Sequence, residues 1–515
     1  MKSTLTPESR KVFYLILLAA GLHLIFGCWN VLYSGINSDE GFYALAARSV
    51  SEGDVPYRDF GYPQMPLLPY INGFLMRFIG FGLFQQRAIN GLWAAFTVLL
   101  VVRWIARRTN LIWALGFGAL LSLSATWMAF VHLGKTYALA GLVIAAAVWV
   151  FTEWEAGVRK ICLLAFLATI GIGCRLTTIP FFAVLWLAAA IELPVRSVRV
   201  LSLAAAGSLL WPTIFLLPFY LAAPEAAYFW TMELHHLSVQ NRTWNLPWPV
   251  IAALAPALWL ALIFSITHVA VTRRFPERNE MVILLATSLA LTVNLLPSGV
   301  YEEYAVPFLP ALVLLAALGL WRAGATIRWL RRPIIHPGLI AINLAAGVAL
   351  LWGRMPADRH SNLSVLLPLN AAAYDSTLPT RLAQQTRVVQ EYLSPDQPFI
   401  GPDILLAVEA HRIVPRILRM GAFTGTIDFA PAQAARMSLA TFAQLEGYFK
   451  DPATPFLAFY KNGNMNYAWS MPTFRNPAKQ VRQRWLEIFH RDFLVAYEDN
   501  DSFLLVRKGA FPVER

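Results

Sequence analysis

Long apolar runs separated by short polar segments dominate the first two thirds of the chain. A helix that crosses a membrane needs about 20 consecutive apolar residues, and on that criterion the pattern predicts about eleven spans. They are Val12–Tyr33, Ala88–Ala106, Leu111–Val131, Tyr137–Phe151, Ile161–Gly173, Ile179–Ile191, Val200–Leu221, Pro249–Val271, Met281–Leu296, Tyr304–Trp321 and Ile334–Trp352. The runs flanking Arg175 are short, so Cys162–Ile191 is either two spans or one broken helix. The pattern therefore predicts a mainly α-helical, polytopic transmembrane bundle.

Basic residues cluster in alternate connections between these spans. The connections on one side hold Lys2, Arg10, Lys11, Arg103, Arg107, Arg108, Arg159, Lys160, Arg196, Arg199, Arg273, Arg274, Arg278, Arg322, Arg328, Arg331 and Arg332. Since Lys and Arg are enriched in cytoplasmic connections, the N-terminus is predicted inside and the C-terminus outside. Two outer connections are long, residues 34–87 and 222–248, and loops of such length are usually functional.

The pattern changes after Trp352. Residues 353–515 mix polar and apolar positions and contain no predicted span. Their periodicity predicts part of a helix at Thr386–Leu393 and strands at Pro398–Asp403, Phe456–Tyr460, Phe493–Tyr497 and Ser502–Val506. We therefore expect two domains, a transmembrane domain over residues 1–352 and a small extracytoplasmic α/β domain over residues 353–515.

The composition agrees with a membrane protein. Hydrophobic residues make up 57% of the 515 residues and charged residues only 14%, whereas a soluble domain carries about 25% charged residues. A net charge of +12 would suggest a nucleic-acid partner in a soluble protein. Here the basic residues lie in short connections between spans, so the sequence predicts contact with membrane lipids and no nucleic acid.

A short helix with two acids in its first turn is predicted directly after the first span. Asn37 or Ser38 caps this helix, and Gly53 lies near its end. Asp39 and Glu40 in the first turn complement the helix dipole, which by itself explains their presence. The alternative is catalytic, because a helix N-terminus also favours an ionised carboxylate that can accept a proton from a hydroxyl.

The order of motifs around this helix resembles the GT-C superfamily of membrane glycosyltransferases. Residues 36–90 contain Ser-Asp-Glu, a Tyr three residues on, Gly-Asp-x-Pro-Tyr, Tyr-Pro-x-x-Pro and an Arg before the second span. Residues 301–310 are similar to the superfamily's Arg-Tyr-x-x-Pro-x-x-Pro run. The likeness is to enzymes that use polyprenyl-phosphate sugars, namely protein O-mannosyltransferases and the aminoarabinose transferases that modify lipid A. The arrangement of spans and loops resembles that of these enzymes over Val12–Trp352.

The resemblance implies roles for individual residues. Asp39 matches the catalytic carboxylate, and Glu40 matches the second acid, which supports the first or holds a cation. Gln64 falls where some relatives carry a Lys or His that meets the lipid phosphate, although Gln brings no charge. Arg87 matches a basic residue that recurs just before the second span, and it is expected to bind the donor phosphate.

Two positions depart from the pattern of the superfamily. Near the fourth span relatives often carry an acid, where this chain has Lys135, and the Arg expected before Tyr304 is Glu303. Phosphate binding is therefore expected to involve Lys135, Arg175 and Arg242, since cations suit phosphate oxygens. The alternative for Lys135 and Arg175 is that they extend their charged ends to the outer membrane surface.

Aromatic and charged residues of the outer loops are expected to line the substrate cavity. They are Tyr43, Tyr57, Arg58, Asp59, Tyr62, Arg242, Glu303 and Tyr304. A divalent cation is the one cofactor that the sequence leaves open, with Glu233, His235 and His236 as weak candidate ligands. Adjacent histidines do not share a helix face, so surface or acceptor contacts are the alternative for His235 and His236.

The sequence thus predicts a glycosyltransferase of the bacterial inner membrane with its active site on the outer face. It would move a sugar, with inversion, from a polyprenyl phosphate to a hydroxyl or amine of an extracytoplasmic glycan, lipid or protein, with Asp39 as the base. A transporter or flippase of lipid-linked sugars is the alternative, although such proteins often show two related halves that this sequence lacks. A third alternative is an assembly subunit in which Asp39 and Glu40 only cap a helix.

Overall fold

A computed structural model describes most of the chain. The described residues are 7–33, 36–193, 198–235, 266, 269–270, 276–295, 302–326, 377–424, 428–460, 479–499, 502–510 and 512. Almost all of the predicted span Pro249–Val271 lies outside them, as do the whole of Ile334–Trp352 and the predicted domain boundary after residue 352.

Helices make up the described structure as far as residue 326. They are α1 (Pro7–Tyr33), α2 (Ser38–Ser51), α3 (Leu67–Ile79), α4 (Leu83–Arg108), α5 (Leu111–Ser122), α6 (Ala125–Val131), α7 (Tyr137–Glu153), α8 (Val158–Cys174), α9 (Ile179–Ile191), α10 (Val198–Phe215), α11 (Leu217–Ala222), α12 (Pro224–Tyr228), α13 (Arg278–Leu295) and α14 (Leu309–Thr326). Within the described residues each predicted span is a helix or a pair of helices. The prediction of a mainly helical protein is confirmed.

Several helices end at places that the apolar pattern does not mark. The predicted span Leu111–Val131 is two helices, because Ser124 is extended with φ −62° and ψ 126°. The predicted span Val200–Leu221 is also two helices, because α10 runs through Pro212 and ends at Phe215, and the chain continues as α11 after a break at Leu216. Arg175 is extended between α8 and a 3₁₀ turn that leads into α9. Residues 162–191 are therefore two helices that meet at Arg175.

The exterior of the helical part is apolar. Three helices of the described residues are long and apolar enough to cross a membrane by themselves, namely Leu83–Arg108, Val198–Phe215 and Glu303–Ala323. Other helices are shorter but present large apolar side chains outward, such as Ile112, which is 78% exposed, and Phe78, which is 74% exposed. Because a protein in water rarely exposes so much apolar surface, this is the fold of an integral membrane protein.

The C-terminal part combines short helices with a small sheet. Its elements are α15 (Leu378–Tyr392), α16 (Ile404–Glu409), α17 (Pro431–Arg436), α18 (Phe442–Lys450), β1 (Phe456–Tyr460), α19 (Lys479–Asp492), β2 (Phe493–Glu498) and β3 (Ser502–Arg507). The sheet is antiparallel with the order β1-β3-β2, and Phe456 pairs with Val506. The predicted strand Pro398–Asp403 forms only isolated bridges, at Pro398 and Ile400.

Two glycines let α2 pack closely on both sides. A Cβ atom on Gly73 of α3 would lie 2.6 Å from the carbonyl oxygen of Ala47. A Cβ atom on Gly41 would lie 2.9 Å from the backbone nitrogen of Leu405, at the start of α16 in the C-terminal part. The helix that carries Asp39 and Glu40 is therefore held between α3 and the C-terminal part.

Candidate active site

The N-terminus of α2 places its two acids in different surroundings. The side chain of Asn37 accepts a hydrogen bond of 3.1 Å from the backbone N–H of Asp39, and the Glu40 carboxylate accepts one of 3.0 Å from the N–H of Asn37. This is the capping box that the sequence predicts. The side chain of Asp39 is 26% exposed, whereas that of Glu40 is 0% exposed. Only Asp39 is open to a reactant.

Glu40 is fully engaged by buried groups. Nε and Nη2 of Arg87 donate hydrogen bonds of 2.8 and 2.6 Å to its two carboxylate oxygens, and the N–H of Gly134 donates one of 2.8 Å. Arg87 lies inside α4 rather than before it, because this helix begins at Leu83 and not at Ala88. The side chain of Arg87 is only 1% exposed, so the structure places it with Glu40, away from the surface.

The connection between α6 and α7 is fixed by polar side chains of α4. The carbonyl oxygen of Lys135 accepts a hydrogen bond of 3.0 Å from Asn90, and that of Gly134 accepts one from Gln86. Sequence analysis did not find Gln86 or Asn90. Asn90 lies three positions after Arg87 and four after Gln86, so these polar side chains share one face of an otherwise apolar helix. Polar side chains in a membrane span usually face the interior of the protein, and this pattern could have identified Gln86 and Asn90.

The ammonium group of Lys135 joins two carboxylates from distant parts of the chain. Its Nζ lies 2.8 Å from Oδ2 of Asp39 and 3.2 Å from Oε1 of Glu303. Burial alone would lower the pKa of Lys135, but Asp39 and Glu303 outweigh it and hold that pKa well above its ordinary value. Lys135 therefore keeps its positive charge at neutral pH.

Arg175 lies between two tyrosine rings beside this ion pair. Its guanidinium carbon is 4.9 Å from the ring centre of Tyr137 and 4.9 Å from that of Tyr304. The hydroxyl of Tyr137 donates a hydrogen bond of 2.6 Å to Glu303, which links both groups. The Nε atom of Arg175 is buried without a hydrogen-bond partner. Within the described residues, no carboxylate lies within ion-pair distance of Arg175.

Tyr43 shows that these charges form one cluster. Its hydroxyl is buried, and burial together with the carboxylate of Asp39 raises the pKa of Tyr43. Lys135 and Arg175 act on the same hydroxyl in the opposite direction, and Glu303 acts with Asp39. Four of the predicted site residues therefore surround a fifth, although they come from four separate segments of the sequence.

Tyr62 and Tyr57, which are also predicted to line the cavity, are buried. The ring of Tyr62 lies edge-on to that of Tyr43, with centres 6.0 Å apart. Tyr57 adopts a positive φ of 70° and donates a hydrogen bond of 2.6 Å to the carbonyl oxygen of Gln64. Gln64 therefore contacts Tyr57 through its backbone carbonyl oxygen, and its side chain is half-buried.

Arg58 and Asp59 pair with one another in the same loop. The Asp59 carboxylate accepts hydrogen bonds from Arg58, at 2.7 Å, and from the N–H of Val55, at 2.8 Å. Arg416 of the C-terminal part lies 3.9 Å from Asp59. These contacts stabilise the loop and its junction with the C-terminal part, and none of them reaches Asp39.

Two of the three candidate metal ligands of the second outer loop, Glu233 and His235, lie in the described residues. Glu233 is half-buried, and the exposed His235 has its Nε2 atom 3.0 Å from the carbonyl oxygen of Pro63. His236 and Arg242 lie outside the described residues. Within the part of the chain that the structure describes, no group of three or more His, Cys, Asp and Glu side chains is arranged to hold a metal ion.

Known proteins resemble this chain in structure but not in sequence. No family model matches the chain, and no curated protein matches its sequence. The structure of ArnT from Cupriavidus metallidurans bound to undecaprenyl phosphate has a TM-score of 0.63 and 14% sequence identity, and the match covers 96% of this chain and 97% of ArnT. The chain has the ArnT fold.

A second ArnT structure agrees with this match. ArnT in the apo state has a TM-score of 0.62 over 96% of this chain and 98% of that protein. The oligosaccharyltransferase AglB from Archaeoglobus fulgidus is less similar, with a TM-score of 0.47 over 69% of its length. The ArnT fold extends over both the helical part and the C-terminal part. The match confirms the expected resemblance at the level of the fold.

Proposed function

We propose that the protein is a membrane glycosyltransferase that takes a sugar from a polyprenyl phosphate and gives it to an extracytoplasmic acceptor. The observation that carries the proposal is the joint arrangement of Asp39 and Arg175 on an ArnT fold. One is a half-exposed carboxylate at a helix N-terminus, and the other is a buried guanidinium with no carboxylate partner among the described residues. Such a pair provides a base and a phosphate anchor within one cluster.

Asp39 suits the role of the base. The ion pair with Lys135 runs through Oδ2 of its carboxylate, and in this proposal Oδ1 receives a proton from the hydroxyl or amine of the acceptor. A positioned base of this kind contributes about 10²- to 10⁴-fold to the rate of a transfer.

Arg175 suits the role of the phosphate anchor. The planar guanidinium is held between Tyr137 and Tyr304, which fixes its orientation and leaves its edge for oxygen ligands. The ArnT structure with undecaprenyl phosphate supports a donor of this class. In this proposal Arg87 contributes indirectly, because it holds Glu40 and thereby the N-terminus of α2.

The reaction would be a single displacement at the anomeric carbon. The acceptor oxygen or nitrogen loses its proton to Asp39 and forms the new bond to the sugar. The bond between the anomeric carbon and the phosphate oxygen breaks, and its electron pair leaves with the polyprenyl phosphate. The charge that develops on this phosphate is stabilised by Arg175. A direct displacement inverts the configuration of the sugar.

The test measures release of polyprenyl phosphate by the purified chain in detergent. The chain is incubated with a panel of polyprenyl-phosphate sugars and with membrane extract as the source of acceptor. Asp39→Asn is expected to lower the release by roughly 10²- to 10⁴-fold. Glu52→Gln is the matched control, because Glu52 is an exposed acid of the same loop that pairs with Arg48 instead, and this variant should keep its activity.

Each outcome has a distinct meaning. Release by the parent chain that Asp39→Asn loses while its thermal stability is retained supports both the reaction and the base. Release that is unaffected by Asp39→Asn contradicts the assignment of the base. If no donor is turned over but vesicles with the chain translocate a lipid-linked sugar, the protein is a transporter and the proposal is wrong.

A further inference from the structure

The two carboxylates around Lys135 converge as they would around a bound metal ion. Asp39 comes from the start of α2, and Glu303 comes from the 3₁₀ turn before α14. Both approach one point, where the Nζ atom of Lys135 lies 2.8 and 3.2 Å from them. Carboxylate oxygens that converge in this way are the ligands that Mg²⁺, Mn²⁺ and Ca²⁺ prefer.

A divalent cation does not fit these residues as they stand. The ammonium group occupies the point between Asp39 and Glu303, and a second cation there would be repelled by it. Glu40 offers no alternative, because its oxygens already accept hydrogen bonds from Arg87, Gly134 and Asn37. The ammonium group of Lys135 is itself held by both carboxylates, at 2.8 and 3.2 Å.

We infer that Lys135 takes the place of a divalent cation in this site, so that the proposed transfer needs no metal. The catalytic part of this inference, that the transfer needs no metal, rests on the proposed function. The structural part, that Lys135 occupies the position of a cation, does not. The ammonium supplies the positive charge that keeps Asp39 and Glu303 together. It also leaves Oδ1 of Asp39 free to act as a base, whereas a metal bound directly to the carboxylate would compete for its lone pairs.

The surroundings would keep the two carboxylates in place without the lysine. The hydroxyl of Tyr137 holds Glu303 at 2.6 Å, and the capping box fixes the start of α2 beside Asp39. Removing the ammonium therefore leaves two adjacent negative charges that repel one another. A divalent cation would relieve this repulsion, so that Lys135→Ala should create a metal site where the parent chain has none.

Electron paramagnetic resonance of Mn²⁺ tests the inference on the full chain in detergent. The parent chain is expected to leave the signal of free Mn²⁺ unchanged, and Lys135→Ala is expected to remove one equivalent per chain. Lys135→Ala combined with Glu303→Gln should lose this binding again. Lys160→Ala is the matched control, because Lys160 is another buried lysine that pairs with a carboxylate, 2.8 Å from Glu192. It should bind no Mn²⁺.

Two results of the Mn²⁺ measurement would overturn the inference. One is tight binding of Mn²⁺ by the parent chain that Asp39→Asn abolishes. The other is a folded Lys135→Ala chain that binds none. In a parallel measurement, release of polyprenyl phosphate should be unchanged when EDTA is added, and loss of release would overturn the metal-independent reaction. If no donor is turned over at all, the proposed function is wrong. The Mn²⁺ measurement still tests whether Lys135 takes the place of a divalent cation.

Discussion

Asp39 and Glu40 are neighbours in the sequence, yet the structure gives them different surroundings. The structural interpretation of this pair fits Glu40, and the proposed catalytic role falls to Asp39. Glu40 is buried and closes the capping box, while Asp39 stays half-exposed. The motif alone marks the pair as important, but it does not show which acid is buried and which is exposed. That division depends on Arg87 and Gly134, which lie far along the chain and reach only Glu40.

The buried pair of Glu40 and Arg87 should make a large contribution to stability. Arg87→Met would leave Glu40 as an unpaired buried charge, which costs about 3–5 kcal/mol. The double variant Arg87→Met with Glu40→Gln removes both charges and should recover part of this loss. Thermal unfolding in detergent, followed by intrinsic fluorescence, measures both effects. Equal melting temperatures for the single variant and the parent chain would contradict the structural role of the pair.

Arg175 should affect the binding of the donor more than the folding of the chain. Replacing it with Gln removes a charged hydrogen bond to phosphate worth about 1.5–3 kcal/mol, which corresponds to roughly a 10- to 150-fold rise in KM for the donor. Steady-state release of polyprenyl phosphate at varied donor concentration measures this change. Arg491→Gln is the control, since Arg491 is exposed and pairs with Asp492. An unchanged KM for Arg175→Gln would exclude Arg175 as the anchor.

At the scale of elements, the apolar pattern predicts where the helices lie better than where they break. Helix α9 begins and ends at the predicted residues, and α7 differs by two residues at its C-terminal end. The break at Ser124 and the helix α3 were not predicted. Helix α3 is decided by packing, because Leu67–Ile79 is short but buries one face against α2. Length and periodicity carry no information about such contacts.

Close packing of α3 on α2 should depend on Gly73. Alanine favours a helix over glycine by about 1 kcal/mol, so Gly73→Ala would stabilise an isolated helix. Here the new Cβ atom would lie 2.6 Å from the carbonyl oxygen of Ala47, and α2 has to move away. We expect a net loss of about 1–3 kcal/mol and a lower melting temperature. Gly447→Ala in α18 meets no atom within 4 Å, and this control should not be destabilised.

At the scale of the whole molecule, the C-terminal part is anchored to the elements that carry the site. The carboxylate of Glu409 accepts a hydrogen bond of 2.6 Å from the N–H of Leu83, one turn before Arg87 in α4. Arg419 pairs with Asp54 at the end of the loop helix α2. The sequence predicts an α/β unit here but not these contacts, because they join residues more than 300 positions apart. The C-terminal part therefore helps to position Glu40 and Arg87.

Glu409 should make this anchorage depend on pH. Burial raises the pKa of Glu409 above its ordinary value of 4.5, and the N–H of Leu83 only partly offsets this. The folded chain therefore binds a proton more tightly than the unfolded chain does, so that the contribution of Glu409 to stability falls as the pH rises through the raised pKa. Glu409→Gln keeps an oxygen that accepts from Leu83 but carries no charge. Its melting temperature should exceed that of the parent chain at about pH 7, and the difference should vanish near about pH 4.

Two further variants separate the charge of Glu409 from its hydrogen bond. Glu409→Ala loses the acceptor for the N–H of Leu83 and should melt at a lower temperature than Glu409→Gln at every pH. Glu487→Gln changes an exposed glutamate of the same part of the chain and should follow the parent chain throughout. A Glu409→Gln chain whose melting temperature differs from the parent by the same amount at both pH values would show that Glu409 does not titrate in this range. The anchorage would then act through the hydrogen bond alone, and the C-terminal part would hold α4 equally well at either pH.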